Sequence, residues 1–273
     1  MARIVDCIAQ NVVGDNVKKY RIERNLSQQE LSDRLEMYAI YICRGSISRI
    51  ETHERTVTDY ELRAIADLAV EKNIFVISDE IYEHLIYEGK AVSTASFNEK
   101  IKDLTIIVNG VSKTYAMTGW RIGFTASNEA LAKVMANIQS HATSNPNSIA
   151  QAATIAALEG GLECVEEMKK HFVERRNYMV DGINAIDGVS CEKPSGAFYV
   201  MMNVSELFGK EFCGCKVTNA DDFAAALLDK AGVALVPGTG FEAPDYVRWS
   251  YATSIENIKE GLARVKKFLN NEY

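Results

Sequence analysis

The apolar positions follow two periods along the chain. In residues 16–73 they recur at helical spacing. Val17, Tyr20 and Ile22 lie among the basic Lys18, Lys19, Arg21 and Arg24 in a helix expected over 16–25. Ser27 with Glu30 three residues on is a capping box that opens a second helix, running to about 38. A short third helix is expected over 44–51. A fourth opens with Thr58 as its cap and Glu61 at the box position. Leu62, Ile65, Ala66 and Ala69 then carry the helical period to about 73.

From 74 the pattern changes to short apolar runs followed by polar clusters. Residues 74–78 and 104–108 read as buried strands, and each ends in a polar turn. Helices are expected over 129–140, 148–158, 162–186 and 221–230. Residues 191–203 alternate as strands, 233–236 and 246–250 read as further strands, and 255–270 reads as a closing helix. Gly and Pro mark no linker between the helical and the mixed part, so one continuous helix over 61–73 is expected to serve both.

The polar clusters hold the candidate chemistry. After the second strand comes Asn109-Gly-Val-Ser-Lys113-Thr-Tyr-Ala-Met-Thr-Gly-Trp-Arg121-Ile-Gly-Phe124. A lysine at the end of a strand stands where α/β sheets open their ligand crevice. This string resembles the lysine signature of class I aminotransferases. The resemblance implies that Lys113 forms a Schiff base with pyridoxal phosphate and Arg121 holds its phosphate. An amine attacks an aldehyde only once it has shed its proton, and a phosphate dianion suits an arginine fork.

After the first strand, Asp79-Glu80-Ile81-Tyr82-Glu83 resembles the segment that serves the cofactor ring in the same family. By that resemblance Asp79 pairs with the ring nitrogen and Tyr82 with the ring hydroxyl. The residues alone leave a second role open for Asp79, as a cap on the turn that follows. Further on, Tyr246-Val-Arg248-Trp-Ser-Tyr-Ala-Thr-Ser254 resembles the segment that grips the substrate α-carboxylate, which assigns that role to Arg248. Gly196–Val200 and Val236–Phe241 also fit, and the resemblance runs from about 61 onward.

A second resemblance covers 10–68. Leu26-Ser-Gln-Gln-Glu-Leu-Ser, Ser46-Ile-Ser-Arg-Ile-Glu and Asp59-Tyr-Glu-Leu-Arg-Ala-Ile-Ala look like the λ-repressor-like (Xre) helix-turn-helix domain. It implies that Gln28 touches phosphate and that Arg44, Ser46 and Arg49 face the DNA major groove. Arg21 and Glu51 would form an internal ion pair.

The two resemblances give the expected fold: an all-α helix-turn-helix domain over 1–68, then an α/β part of the pyridoxal-phosphate-transferase fold type I. That part divides into a large-domain remainder, 69–162, and a small domain, 163–273. A full aminotransferase has a hundred or more residues ahead of the shared helix. The chain therefore reads as truncated, with a sheet edge and face left uncovered. Three functions stay open: amino transfer between an amino acid and a 2-oxo acid, a DNA-binding regulator whose second part dimerises or senses an effector, and a gene fusion without activity. Both families imply a homodimer.

Composition narrows this little. Hydrophobic residues are 47% and charged residues 25%, ordinary for a globular protein. The expected location is cytoplasmic, with no membrane partner. Residues 1–65 hold ten basic and ten acidic residues, so the whole net charge of −7 lies in the remainder. That acidic remainder does not favour nucleic acid. Cys213-Gly214-Cys215 is read as a reduced loop, and no spacing of His or Cys suggests a metal site.

Overall fold

The computed structural model describes residues 14–36, 47 and 59–273. The chain divides into two units, Met1–Val165 and Glu166–Tyr273.

The first unit begins with two short helices, α1 (Gly14–Glu23) and α2 (Gln28–Glu36). Asn25 takes a left-handed conformation in the turn between them. The expected capping box is present in both directions: Glu30 N–H donates to Ser27 Oγ at 3.1 Å, and Ser27 N–H donates to Glu30 Oε2 at 2.7 Å. Gln28 is the first residue of α2. Arg44, Ser46, Arg49, Glu51 and the Thr58 cap lie outside the described residues, as does most of the expected third helix.

Helix α3 (Asp59–Lys72) is unbroken, as its period requires, and buries Leu62, Ala66 and Ala69. Asn73, at φ 52°, ends it. The Ile74 N–H then bonds back to the Ala69 carbonyl at 2.9 Å. That bond keeps Ile74 in the helix terminus, so strand β1 is Val76–Asp79 rather than 74–78.

A short helix, α4 (Glu99–Leu104), precedes strand β2 (Thr105–Gly110). Asn98 caps this helix by accepting from Ile101 N–H, a feature the apolar pattern did not reveal. Leu104 therefore closes a helix instead of opening the strand. Strand β3 is Gly123–Ala126. The sheet order is β1-β2-β3, with β1 and β2 parallel and β2 and β3 antiparallel. Ala66, Ala69 and Ile101 form a core with Val76 on one face of this sheet. Helices α5 (Glu129–Ala142) and α6 (Ser148–Glu159) follow, capped by Asn128 and Asn147.

The second unit follows the start of α7 (Glu163–Asn184). Its sheet runs β4-β5-β9-β8, all antiparallel, built from β4 (Ser190–Cys191), β5 (Tyr199–Asn203), β8 (Val236–Pro237) and β9 (Tyr246–Ser250). Two strand readings are corrected here. Residues 192–198 interrupt the alternation expected across 191–203, and β8 is two residues long where four were expected. Cys213-Gly214 is a two-residue hairpin turn joining β6 (Lys210–Phe212) to β7 (Cys215–Val217). Both turn residues have positive φ, which matches the right-handed twist of the flanking strands.

Helix α8 (Ala220–Ala231) ends at Gly232 in the left-handed region. Helix α9 (Ile255–Leu269) buries Ile258, Leu262, Val265 and Phe268 on one stripe. Gly261 lets the Trp249 ring reach the α9 backbone, since a Cβ there would lie 2.8 Å from Cζ2 of that ring. Among the described residues no helix is long and apolar enough to cross a membrane.

Candidate active site

Strands β1 and β2 run parallel with Asp79 opposite Val108. Asp79 is the last residue of β1, and Lys113 follows β2 by three residues. Both therefore stand at the carboxyl ends of adjacent parallel strands, where an open α/β sheet forms its crevice.

Lys113 sits in a tight turn. Val111 and Thr114 on either side are buried, which leaves Lys113 half-buried between two anchors. Val111 and Ile122 pack on Ala150 of α6, so both ends of the loop between β2 and β3 are fixed in one small apolar cluster. The loop includes two non-glycine residues in the left-handed region, Ala116 at φ 54° and Arg121 at φ 57°. Backbone of this kind costs free energy and persists where the surroundings impose it.

Tyr82 is 7% exposed and lies in the turn after β1. The Lys113 Nζ stands 5.8 Å from the centre of its ring. Asp79 Oδ1 accepts the Ile81 N–H at 3.1 Å, so it does cap this turn. A carboxylate has acceptor sites beyond that one bond, and the capping role does not exclude a second. Asp79, Tyr82 and Lys113 are thus gathered at one end of the sheet.

Arg121 is exposed, and its Nη1 donates to the Thr118 carbonyl at 2.8 Å. With Gly119, Trp120, Asn147 and Ala150 it lines an open depression of about 420 Å³.

Two polar contacts that sequence reasoning missed support the turn after β1. Asn109 Nδ2 donates to Glu83 Oε1 at 2.5 Å. Glu80 accepts from Ser93 Oγ at 2.7 Å and Ser78 Oγ at 3.0 Å. Burial raises the Glu80 pKa, with the two serine bonds working against it. Asn109 and Glu80 stand in the two polar clusters already singled out, but Glu83 lies 26 residues from Asn109 and Ser93 lies 13 from Glu80, so spacing alone gives no sign of these partners.

Arg248 belongs to the second unit. It lies on β9, opposite Met201 of β5 and Val236 of β8, and its neighbours Val247 and Trp249 point into the core. Its guanidinium is 4.5 Å from the Tyr199 ring centre and 4.4 Å from that of Phe241. Two aromatic faces thus hold it, each worth about 0.5–2 kcal/mol. The sequence named the arginine but not this frame, because Tyr199 and Phe241 are far from it along the chain.

Known proteins resemble this chain over the same span. The family model described as aminotransferase class I and II matches residues 55–265. The aspartate aminotransferase of Bacillus subtilis (strain 168) is 46% identical over 213 residues, which are 78% of this chain and 53% of that protein. The crystal structure of the aspartate aminotransferase from Rhizobium meliloti superposes with a TM-score of 0.75 at 40% identity, covering 78% of this chain and 54% of that one. The aromatic aminotransferase from Pyrococcus horikoshii OT3 gives a TM-score of 0.72 at 35% identity, covering 81% and 57%. The chain spans about half the length of the curated relatives it matches.

Proposed function

Because the chain belongs to the class I and II aminotransferase family, we propose that it binds pyridoxal phosphate through Asp79, Tyr82, Lys113 and Arg121. We propose further that Arg248 grips a substrate carboxylate and that the protein moves an amino group between an amino acid and a 2-oxo acid. The family's homologues depend on pyridoxal phosphate. The observation that carries the reading is the Lys113 amine over the Tyr82 ring, beside the strand end that bears Asp79.

The donor set fits the cofactor. It offers an acid for the pyridine nitrogen, a phenol for the ring hydroxyl, an amine for the aldehyde and a guanidinium for the phosphate. Bound, the cofactor supplies an electron sink for charge that develops at the substrate Cα. Asp79 holds the proton at the pyridine nitrogen. Lys113 would take the proton from the substrate Cα and deliver it to the carbon that receives the amino group, as a positioned general base and acid. Arg248, stiffened between Tyr199 and Phe241, offers its planar fork to the α-carboxylate and so orients the Cα bond to be broken. In this reading 69–162 carries the cofactor, 163–273 is the small domain, and the protein is a homodimer.

The test adds pyridoxal phosphate to the purified chain and to Lys113→Ala. The reading expects a visible absorption band in the parent that an amino acid discharges and a 2-oxo acid restores. A parent with no band beyond that of Lys113→Ala would overturn it.

A second reading concerns 1–68, favoured by two short helices, α1 and α2, joined by a tight turn at Asn25. In it this part binds DNA, with Gln28 on phosphate and Arg44, Ser46 and Arg49 in the major groove. Gel-shift titration at two salt concentrations tests it. Binding that weakens with salt and is lost on changing Arg44 and Arg49 supports it, and no shift at low salt refutes it.

A further inference from the structure

The two faces of the first unit's sheet are unlike. Register puts Ile77 opposite Ile106 and Asp79 opposite Val108, so these four share one face, apolar except for Asp79 at its carboxyl end. None of them is buried, and Ile77 is 67% exposed. The other face holds Ser78, Thr105 and Asn109, all buried, and Val76 packs there against α3 and α4. An apolar sheet face is normally covered. Among the described residues the cover lies on the other face only.

The edge is open too. Strand β1 pairs with β2 alone, so its outer edge has no strand partner among the described residues. The run Ile74-Phe-Val-Ile-Ser78 has none of the charges or prolines that blunt a free edge. Helix α5 shows the same want of cover: Val134 and Ile138, one turn apart, are 54% and 65% exposed. In the second unit the face of β9 that carries Val247 and Trp249 is covered, and both are buried.

The comparisons identify what fits this surface. At 46% identity the chain aligns with 53% of the Bacillus subtilis relative, and the superposed Rhizobium meliloti chain is matched over 54% of its length. The unaligned half of such a protein belongs to the same folded chain as the aligned half.

We propose that the free edge of β1 and the Ile77–Ile106–Val108 face dock a polypeptide equivalent to the half of an aspartate aminotransferase that the chain does not align with, which adds a strand to β1 and covers the face. Main-chain bonding along the edge supplies affinity, and the apolar face supplies register. The inference rests on family membership and not on amino transfer by Lys113.

The experiment co-produces the full 273-residue chain with an affinity-tagged fragment of the Bacillus subtilis enzyme comprising its residues outside the alignment. The expected result is an equimolar complex in which the amides of 76–79 are protected from hydrogen exchange. Ile77→Asp should abolish the complex while leaving the circular dichroism of the chain unchanged. Leu228→Asp, at an exposed position of the second unit, should leave the complex intact. A tagged fragment that stays without the chain, soluble or not, overturns the proposal. So does self-association of the chain that Ile77→Asp abolishes, because the occupant is then a second copy. No readout uses pyridoxal phosphate, so loss of the catalytic reading leaves this result standing.

Discussion

The side-chain amide of Asn109 donates to the Glu83 carboxylate at 2.5 Å, and this one bond ties the turn bearing Tyr82 to the strand end that leads to Lys113. Asn109 also accepts its neighbour's Gly110 N–H at 2.7 Å, which fixes the amide's orientation. Removing the amide leaves the Glu83 acceptor without its short donor. Asn109→Ala is expected to lower stability by about 1.5–3 kcal/mol, the range for a hydrogen bond to a charged group. Asn109→Asp is expected to cost more, because it sets two carboxylates against each other. Urea unfolding of both at pH 7 decides this, and equal midpoints would refute it.

Glu80 predicts a pH dependence of its own. Burial holds its pKa above the ordinary value of 4.5, so the fold favours the protonated form. A raised carboxyl contributes its stability in full below its unfolded value. The contribution is lost as pH rises through the folded value. Glu80→Gln stays neutral and keeps an oxygen to accept from Ser93 and Ser78. Its stability relative to the parent should therefore rise between pH 4 and pH 7. A relative stability that is flat or falls over that interval would show that the serine bonds outweigh burial.

A glycine at the end of β2 and a glycine of the loop that follows should respond differently to the same change. A Cβ on Gly110 would lie 2.8 Å from the Ile122 carbonyl oxygen, inside the pairing of β2 with β3, whereas one on Gly119 would meet nothing within 4 Å. Gly110→Ala is expected to cost about 1–3 kcal/mol through strand displacement, and Gly119→Ala to stay within about 0.5 kcal/mol. Thermal unfolding of the pair checks both, and similar losses at the two sites would contradict the geometry.

These contacts mark where the sequence stopped being legible. Asp79, Tyr82 and Lys113 were named because each stands in a local string after an apolar run, and strand pairing then gathers them. The Asn109–Glu83 bond spans 26 residues and the Arg248–Phe241 contact depends on a turn, so neither leaves a periodic trace. Long helices were readable because 3.6-residue spacing repeats several times within them. Strand limits were less so: the Ile74 bond to Ala69 and the Asn98 cap decide where β1 and β2 begin. Both depend on a single hydrogen bond rather than on a pattern. The loop at Cys213-Gly214-Cys215 is legible from its glycine, but its two-residue hairpin form is not, because Cys213 is a residue type that seldom takes a positive φ.

Arg248 provides the sharpest separation of cofactor from substrate. Its guanidinium is framed by Tyr199 and Phe241 at 4.5 and 4.4 Å. Lysine keeps the charge but loses the planar fork and much of its stacking on the two rings. If this arginine binds the α-carboxylate, Arg248→Lys should weaken amino-acid binding about 10- to 100-fold, the scale of one charge-assisted bond lost. The Lys113-dependent absorption with pyridoxal phosphate should keep its amplitude, because the cofactor contacts proposed above all belong to the first unit. Replacing Phe241 by Leu should weaken amino-acid binding less, since one face of the frame and the whole fork remain. Titration of the absorbing protein with an amino acid measures all three. Unchanged amino-acid binding in Arg248→Lys would remove the carboxylate role, and loss of the absorption itself would show that the residue supports the fold.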